Sequence, residues 1–133
     1  MSCKTQLIEA MDDWTTVMNK GSSQIDIIVL DFSKAFDMVP HQRLIQKLNS
    51  YGITGRTQLW IASFLSSRTQ EVVVRGTSSE VRPVTSGVPQ GTVLGPLLFL
   101  LYINDIEKNL ENTIRLFADD SALYKEIETI DDC

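Results

Sequence analysis

The chain has 133 residues, enough for one domain or part of one and for a single buried core, which excludes a complete multi-domain machine. Apolar residues make up 43% and charged residues 22%, near the soluble globular average, so a disordered tail or a fibre is excluded too. The net charge of −5 argues at face value against a phosphate partner, but it is unevenly spread. Residues 34–82 carry +4 (Lys34, Arg43, Lys47, Arg56, Arg68, Arg75 and Arg82 against Asp37, Glu71 and Glu80), and the two flanks hold the acidity.

Two cysteines, Cys3 and Cys133, provide neither a disulfide framework nor a metal-ligand spacing, which fits a reducing compartment. The longest apolar run, Val93 to Ile103, is broken by Gly95 and Pro96 and falls short of the ~20 residues a membrane-crossing helix needs. The N-terminus has no apolar signal-peptide core.

Residues 5–20 place Leu7, Ile8, Met11, Trp14 and Met18 at helical spacing, and Lys20-Gly21 supplies a basic last turn and a stop. The run IDIIVL (25–30) is mostly β-branched and predicts a strand buried on both faces, ending at Asp31. Pro40 favours the start of a helix with Leu44, Ile45 and Leu48 inside, closed by Gly52. A second helix over 56–65 is expected to bury Leu59, Trp60, Ile61 and Phe64. Residues 69–75 and 81–85 then read as a hairpin with a long loop at Gly76–Ser79, and Pro83 sends the second strand to an edge. After the loop SGVPQG (86–91), a long apolar helix is expected over 92–110, with Leu97, Leu98, Phe99, Leu101 and Tyr102 as core. The last unit, 113–126, reads as strand, acidic tip, strand.

Chemistry could sit at three acids. Asp31 ends a strand, where sheets commonly present ligands, and Asp119 and Asp120 occupy the tip of the final hairpin. If the two places adjoin, three like charges converge, and a bound divalent cation with hard oxygen ligands relieves the repulsion. Spacing alone leaves other readings open: Asp31 beside a helix N-cap, and the Asp pair as turn formers.

The segments LDFSKAFDMVPH (30–41), SGVPQGTVLGPLLFLLYINDI (86–106) and FADD (117–120) resemble three successive polymerase motifs of non-LTR (LINE-type, jockey- and CR1-like) retrotransposon reverse transcriptases. The intervening YGITGRTQLWIASFLSSRTQEVVVRG is similar to that family as well. The resemblance implies an α+β fold, a partial polymerase palm with a ferredoxin-like antiparallel sheet and helices on one face. It assigns residues 1–24 to a leading helix and linker, 25–126 to the palm core and 127–133 to a tail. It implies RNA-directed DNA synthesis, in which a primer 3′-hydroxyl attacks the α-phosphorus of a deoxynucleoside triphosphate on an RNA template.

By the same resemblance Asp31, Asp119 and Asp120 are the catalytic metal ligands for two Mg²⁺ ions, with Mn²⁺ as a substitute, and the carbonyl of Phe32 adds an oxygen. Phe36 matches the aromatic gate under the incoming sugar, and Gln90 and Gly91 match the loop that touches the nascent base pair. His41, a tempting general base, reads as a capping or surface group, and Asp105 receives no metal role. The implied partners are RNA template, DNA primer, dNTP and the remaining fingers, thumb and endonuclease of a polyprotein, acting in nucleus and cytoplasm. Basic fingers elements before the first motif and thumb elements after the third are absent, so the isolated chain is expected to polymerise poorly or not at all and to expose apolar edge surface. The alternative readings are an inactive RNA-binding or host-recruited remnant and a metal-dependent nuclease.

Overall fold

From the N-terminus the elements are α1 (Cys3–Met18), β1 (Gln24–Asp31), α2 (His41–Ser50), α3 (Gly55–Leu65), β2 (Thr69–Gln70), β3 (Val73–Val74), β4 (Thr77–Ser78), β5 (Arg82–Pro83), α4 (Leu94–Ile103), a 3-10 turn (Ile106–Asn109), β6 (Thr113–Phe117) and β7 (Asp120–Ile127). The computed structural model describes residues 3–21, 24–110, 112–117 and 120–127. The class is α+β, as expected, with small antiparallel sheets. The chain divides into two compact units, Met1–Ser33 with Asp105–Cys133, and Lys34–Asn104.

In the unit Lys34–Asn104, Pro40 holds an extended backbone ahead of α2, and the helical period carries Leu44 and Leu48 into the core. α2 packs on α3 and on α4, and Val39, Ile61, Leu65, Val88, Leu98, Phe99 and Ile103 are buried with them. Gly52, at a φ of 79°, turns the chain out of α2 while the Ile53 amide donates to the Leu48 carbonyl.

Three expectations are corrected here. Leu59 and Trp60 of α3 are exposed, not buried, and Phe64 is half-buried: the helix is apolar over more than one face, and the fully buried stripe is Ile61 and Leu65. The hairpin has no long loop. Val74 pairs with Thr77 across Arg75-Gly76, both at positive φ, a tight turn whose twist suits a hairpin, and β2 pairs with β5 below it. The long helix expected over 92–110 ends at Ile103, ahead of Asn104 and Asp105, two residues of low helix propensity, and resumes only as the 3-10 turn. Within α4, Leu98 and Phe99 are core, Leu101 and Tyr102 are half-buried, and Leu97 is exposed.

The other unit is a three-stranded antiparallel sheet, ordered β1-β7-β6, with α1 packed on β1 and β6. Cross-strand alternation places Val29, Ala122 and Arg115 on one face with Ile27, Tyr124 and Thr113, and α1 lies on that face. Trp14 meets the Tyr124 ring edge-on, with centroids 5.9 Å apart, and Ala10 is buried beside it. Leu7, Ile8, Met11 and Met18 are exposed, so of the apolar stripe read from the sequence it is Trp14 that seats the helix.

β1 is also corrected. It is an edge strand, not one buried on both faces; Val29 is 72% and Ile28 58% exposed. A β-branched run states a preference for extended backbone, and burial then depends on what packs against it.

α1 is fastened by charge. Arg115 donates to Glu9 at 3.1 Å and to Asp13 at 2.6 Å, and its Nε donates to the Tyr124 hydroxyl at 3.0 Å. That hydroxyl in turn donates to Asp13. The Tyr124 bond first, and then the Arg115 bond, hold the Asp13 carboxyl below its ordinary range. Burial pushes the Tyr124 phenol up, and Asp13 adds to the rise. Because Asp13 binds protons less readily in the folded chain, its contribution is present above the unfolded carboxylate pKa of about 4 and is lost as pH falls through the depressed folded value. We therefore expect α1 to loosen in acid, read by Trp14 fluorescence. Asp13→Asn should lower stability at pH 7 by about 0.5–1 kcal/mol, discounted for solvent, and flatten this acid limb. An unchanged acid limb in the variant would contradict the assignment.

Candidate active site

Each unit contributes one constellation. In the sheet unit, antiparallel register makes Asp31, the last residue of β1, the direct cross-strand partner of Asp120, the first residue of β7. Directly opposite residues project from the same face, so the two carboxylates share one end of one face although 89 residues separate them in sequence. Ser121, almost fully buried, follows on the other face with its hydroxyl directed at the Leu30 carbonyl, 3.5 Å away. Asp31 and Asp120 are exposed, and neither side chain has an ion pair or hydrogen bond among the described residues.

Gln6 and Leu7, in the first turns of α1, line a cavity of about 320 Å³ together with Val29 and Asp120. The positive end of the α1 dipole thus lies toward the acidic end of the sheet. Asp119 lies outside the described residues, and among those described no three acidic, His or Cys side chains form a group able to hold a metal ion. Phe32 follows β1 directly, half-buried.

In the helical unit, two loops distant in sequence are stitched together by backbone. The Gly87 amide donates to the Val39 carbonyl at 2.8 Å and the Val88 amide to the Phe36 carbonyl at 2.7 Å. Gly87 has a φ of 87°, and a Cβ there would stand 2.8 Å from both the Cα and the carbonyl oxygen of Asp37, so only glycine permits this approach. Ser86 donates to the Asp37 carbonyl at 2.8 Å, and Gln90 Nε2 reaches the Asp37 carboxylate at 3.4 Å.

Phe36 stacks on Phe99 of α4 with centroids 4.6 Å apart. Gly91, at a φ of 75°, has open space where a side chain would stand. Below it, Thr92 donates to the Pro89 carbonyl and accepts from the Gly95 amide, capping α4. A Cβ on Gly95 would lie 2.1 Å from that same Pro89 oxygen, so glycine at the helix start is a packing requirement.

The sequence matches the family model described as reverse transcriptase (RNA-dependent DNA polymerase) over residues 3–130. The chain belongs to the reverse transcriptase family. It is 35% identical over 109 residues to the RNA-directed DNA polymerase from mobile element jockey of Drosophila melanogaster, an alignment covering 76% of this chain and 12% of that protein. The Pol polyprotein from type-1 retrotransposable element R2 of Popillia japonica is 29% identical over 87 residues, covering 65% and 14%. The probable RNA-directed DNA polymerase from transposon BS of Drosophila melanogaster is 32% identical over 106 residues, covering 75% and 10%. These relatives are of the non-LTR kind that the motifs resemble, and this chain spans about an eighth of the length of the jockey polymerase. Reverse transcriptases are nucleotidyltransferases that generally use divalent metal ions.

Of the residues expected in a reverse transcriptase site, the fold pairs Asp31 with Asp120 in one unit and joins the loops of Phe36, Gln90 and Gly91 in the other. Sequence reasoning missed Asp37 and Gly87. Both sit inside the quoted motifs, and the signal available was a second glycine in SGVPQG, at a loop that must approach another backbone. His41, expected as a capping or surface group, instead donates from Nε2 to the Gly87 carbonyl at 2.8 Å. A carbonyl only accepts, so that nitrogen carries its proton and is no base toward substrate.

Two like charges directly opposite on neighbouring strands oppose folding. In EDTA, Asp120→Asn is expected to stabilise the chain by about 0.2–1 kcal/mol in urea unfolding. Destabilisation in EDTA would mean that the carboxylate has a structural partner.

Proposed function

We propose that this chain carries the catalytic centre of an RNA-directed DNA polymerase, with the β1-β7-β6 sheet as part of a ferredoxin-like palm. The observation that carries the reading is the pairing of Asp31 with Asp120, two exposed carboxylates opposite one another with no ion pair among the described residues. Such a donor set is hard, oxygen-only and doubly negative, which fits Mg²⁺ or Mn²⁺. Asp31 and Asp120 would hold the ions, joined by Asp119 and the Phe32 carbonyl on the strength of the family resemblance. When bound, two such ions neutralise the triphosphate and stabilise the attacking and leaving oxygens of an in-line displacement.

The chain's own residues then position the reactants. A primer 3′-hydroxyl forms a bond to the α-phosphorus of a dNTP, the bond to the β-phosphate oxygen breaks, and pyrophosphate leaves. The Phe36 ring, held by its stack on Phe99, bounds the sugar and excludes a 2′-hydroxyl. Gln90, tethered to Asp37, offers donor and acceptor to the nascent base pair, and the bare backbone at Gly91 lets it come close. Orientation of this kind supplies much of the barrier lowering in phosphoryl transfer. RNA template and DNA primer are the partners of the reaction, within the larger polyprotein that the relatives represent.

Equilibrium dialysis against dTTP and UTP tests the reading. Binding of dTTP is expected to require Mn²⁺, to weaken at least about tenfold in Asp31→Asn, and to lose its preference over UTP in Phe36→Ala. Binding indifferent both to Mn²⁺ and to Asp31→Asn would contradict the reading and favour a remnant without the reaction.

A further inference from the structure

The basic groups that give residues 34–82 their positive charge all belong to the helical unit, which has a net charge of +4, and α3 combines two of that region's features on one surface. Arg56, Trp60 and Phe64 recur at four-residue spacing on α3 and so share a face, and Arg68 follows three residues after the helix ends. Trp60 is 59% exposed, and its ring stacks with that of Phe64 at 6.0 Å and 22°. Ile61 and Leu65 form the buried stripe of α3, and the Trp60 ring lies outside it. Among the described residues neither Arg56 nor Arg68 has an ion pair, whereas Arg82 pairs with Glu80.

We propose that the Trp60–Phe64 face of α3 is a docking surface for single-stranded nucleic acid, with bases stacked on the exposed indole and the phosphates drawn by Arg56 and Arg68. Charge complementarity selects this occupant. An apolar partner or a second copy of the chain would gain little from unpaired arginines, whereas a strand with π-faces and one negative charge per nucleotide matches both features. Stacking tolerates any base, so the surface grips a strand without reading its sequence. The proposal rests on the polymerase reading only in taking that strand to be the unpaired template.

Fluorescence anisotropy of labelled oligo(rU), oligo(dT) and a blunt RNA duplex with the whole chain tests it. Both single strands are expected to bind more tightly than the duplex, and RNA tighter than DNA would mark the template. Trp60→Ala should weaken single-strand binding about tenfold. Arg56→Gln should reduce the slope of log K against log salt by about 0.7. Leu59→Ala, which removes a neighbouring side chain that is 71% exposed, should change affinity less than twofold.

Trp60→Ala binding like wild type, or Leu59→Ala weakening binding as much as Trp60→Ala, would overturn the proposal. So would wild type failing to bind either single strand, or a wild-type dimer in sedimentation that Trp60→Ala dissolves, which would make the occupant a second copy. Asp31→Asn separates the two readings, because it is expected to weaken Mn²⁺-dependent dTTP binding and leave oligo(rU) affinity unchanged.

Discussion

The register of β1 against β7 governs everything else at the acidic end of the sheet. Eight consecutive cross-strand pairs, from Gln24 with Ile127 to Asp31 with Asp120, leave no freedom to slide. A one-residue slip would turn Asp31 to the opposite face from Asp120 and carry Ile27 and Val29 away from α1. Packing of Trp14 on Tyr124, and the bonds from Arg115 to Asp13 and Glu9, hold that register by fixing which face meets the helix. This packing, rather than any attraction between the acids, therefore decides that they face one another.

Charge is partitioned between the units. The sheet unit has Lys4, Lys20, Lys108, Arg115 and Lys125 against fourteen acids, a net −9, and the helical unit has +4. A total of −5 conceals both values. The first suits polyvalent cations and the second a polyanion, so a negative chain can still serve a nucleic-acid reaction. Within the helical unit, the clasp between the Phe36–Val39 segment and the Gly87–Val88 loop presents Phe36 and Gln90 from one rigid piece of backbone.

The elements were largely legible. β-branched Ile25–Leu30, Pro40 before its helix and the hairpin over 113–126 each state a local preference that packing did not override. What escaped depends on neighbours. The exposure of Val29 and of Trp60 follows from which faces find a partner, and apolar residues on α3 and β1 exceed what one contact face can cover. The clasp through Gly87, Asp37 and His41 leaves no periodic trace, since its bonds join loops 46 to 53 residues apart. For the candidate site, spacing alone left Asp31 and the Asp pair open to ordinary turn and cap roles. Motif resemblance raised their convergence as an expectation, and the β1–β7 register supports it for Asp31 and Asp120.

The central claim is that the acids at 31 and 120 hold one divalent site. Mn²⁺ added to the isotope-labelled chain and followed by paramagnetic broadening in amide NMR spectra tests it most directly. The account predicts that the Asp31 and Asp120 resonances broaden together at the lowest Mn²⁺ concentrations, before those of Asp12, Asp13 and Asp26. Broadening that begins at those other acids, or that reaches only one of the pair, would contradict it.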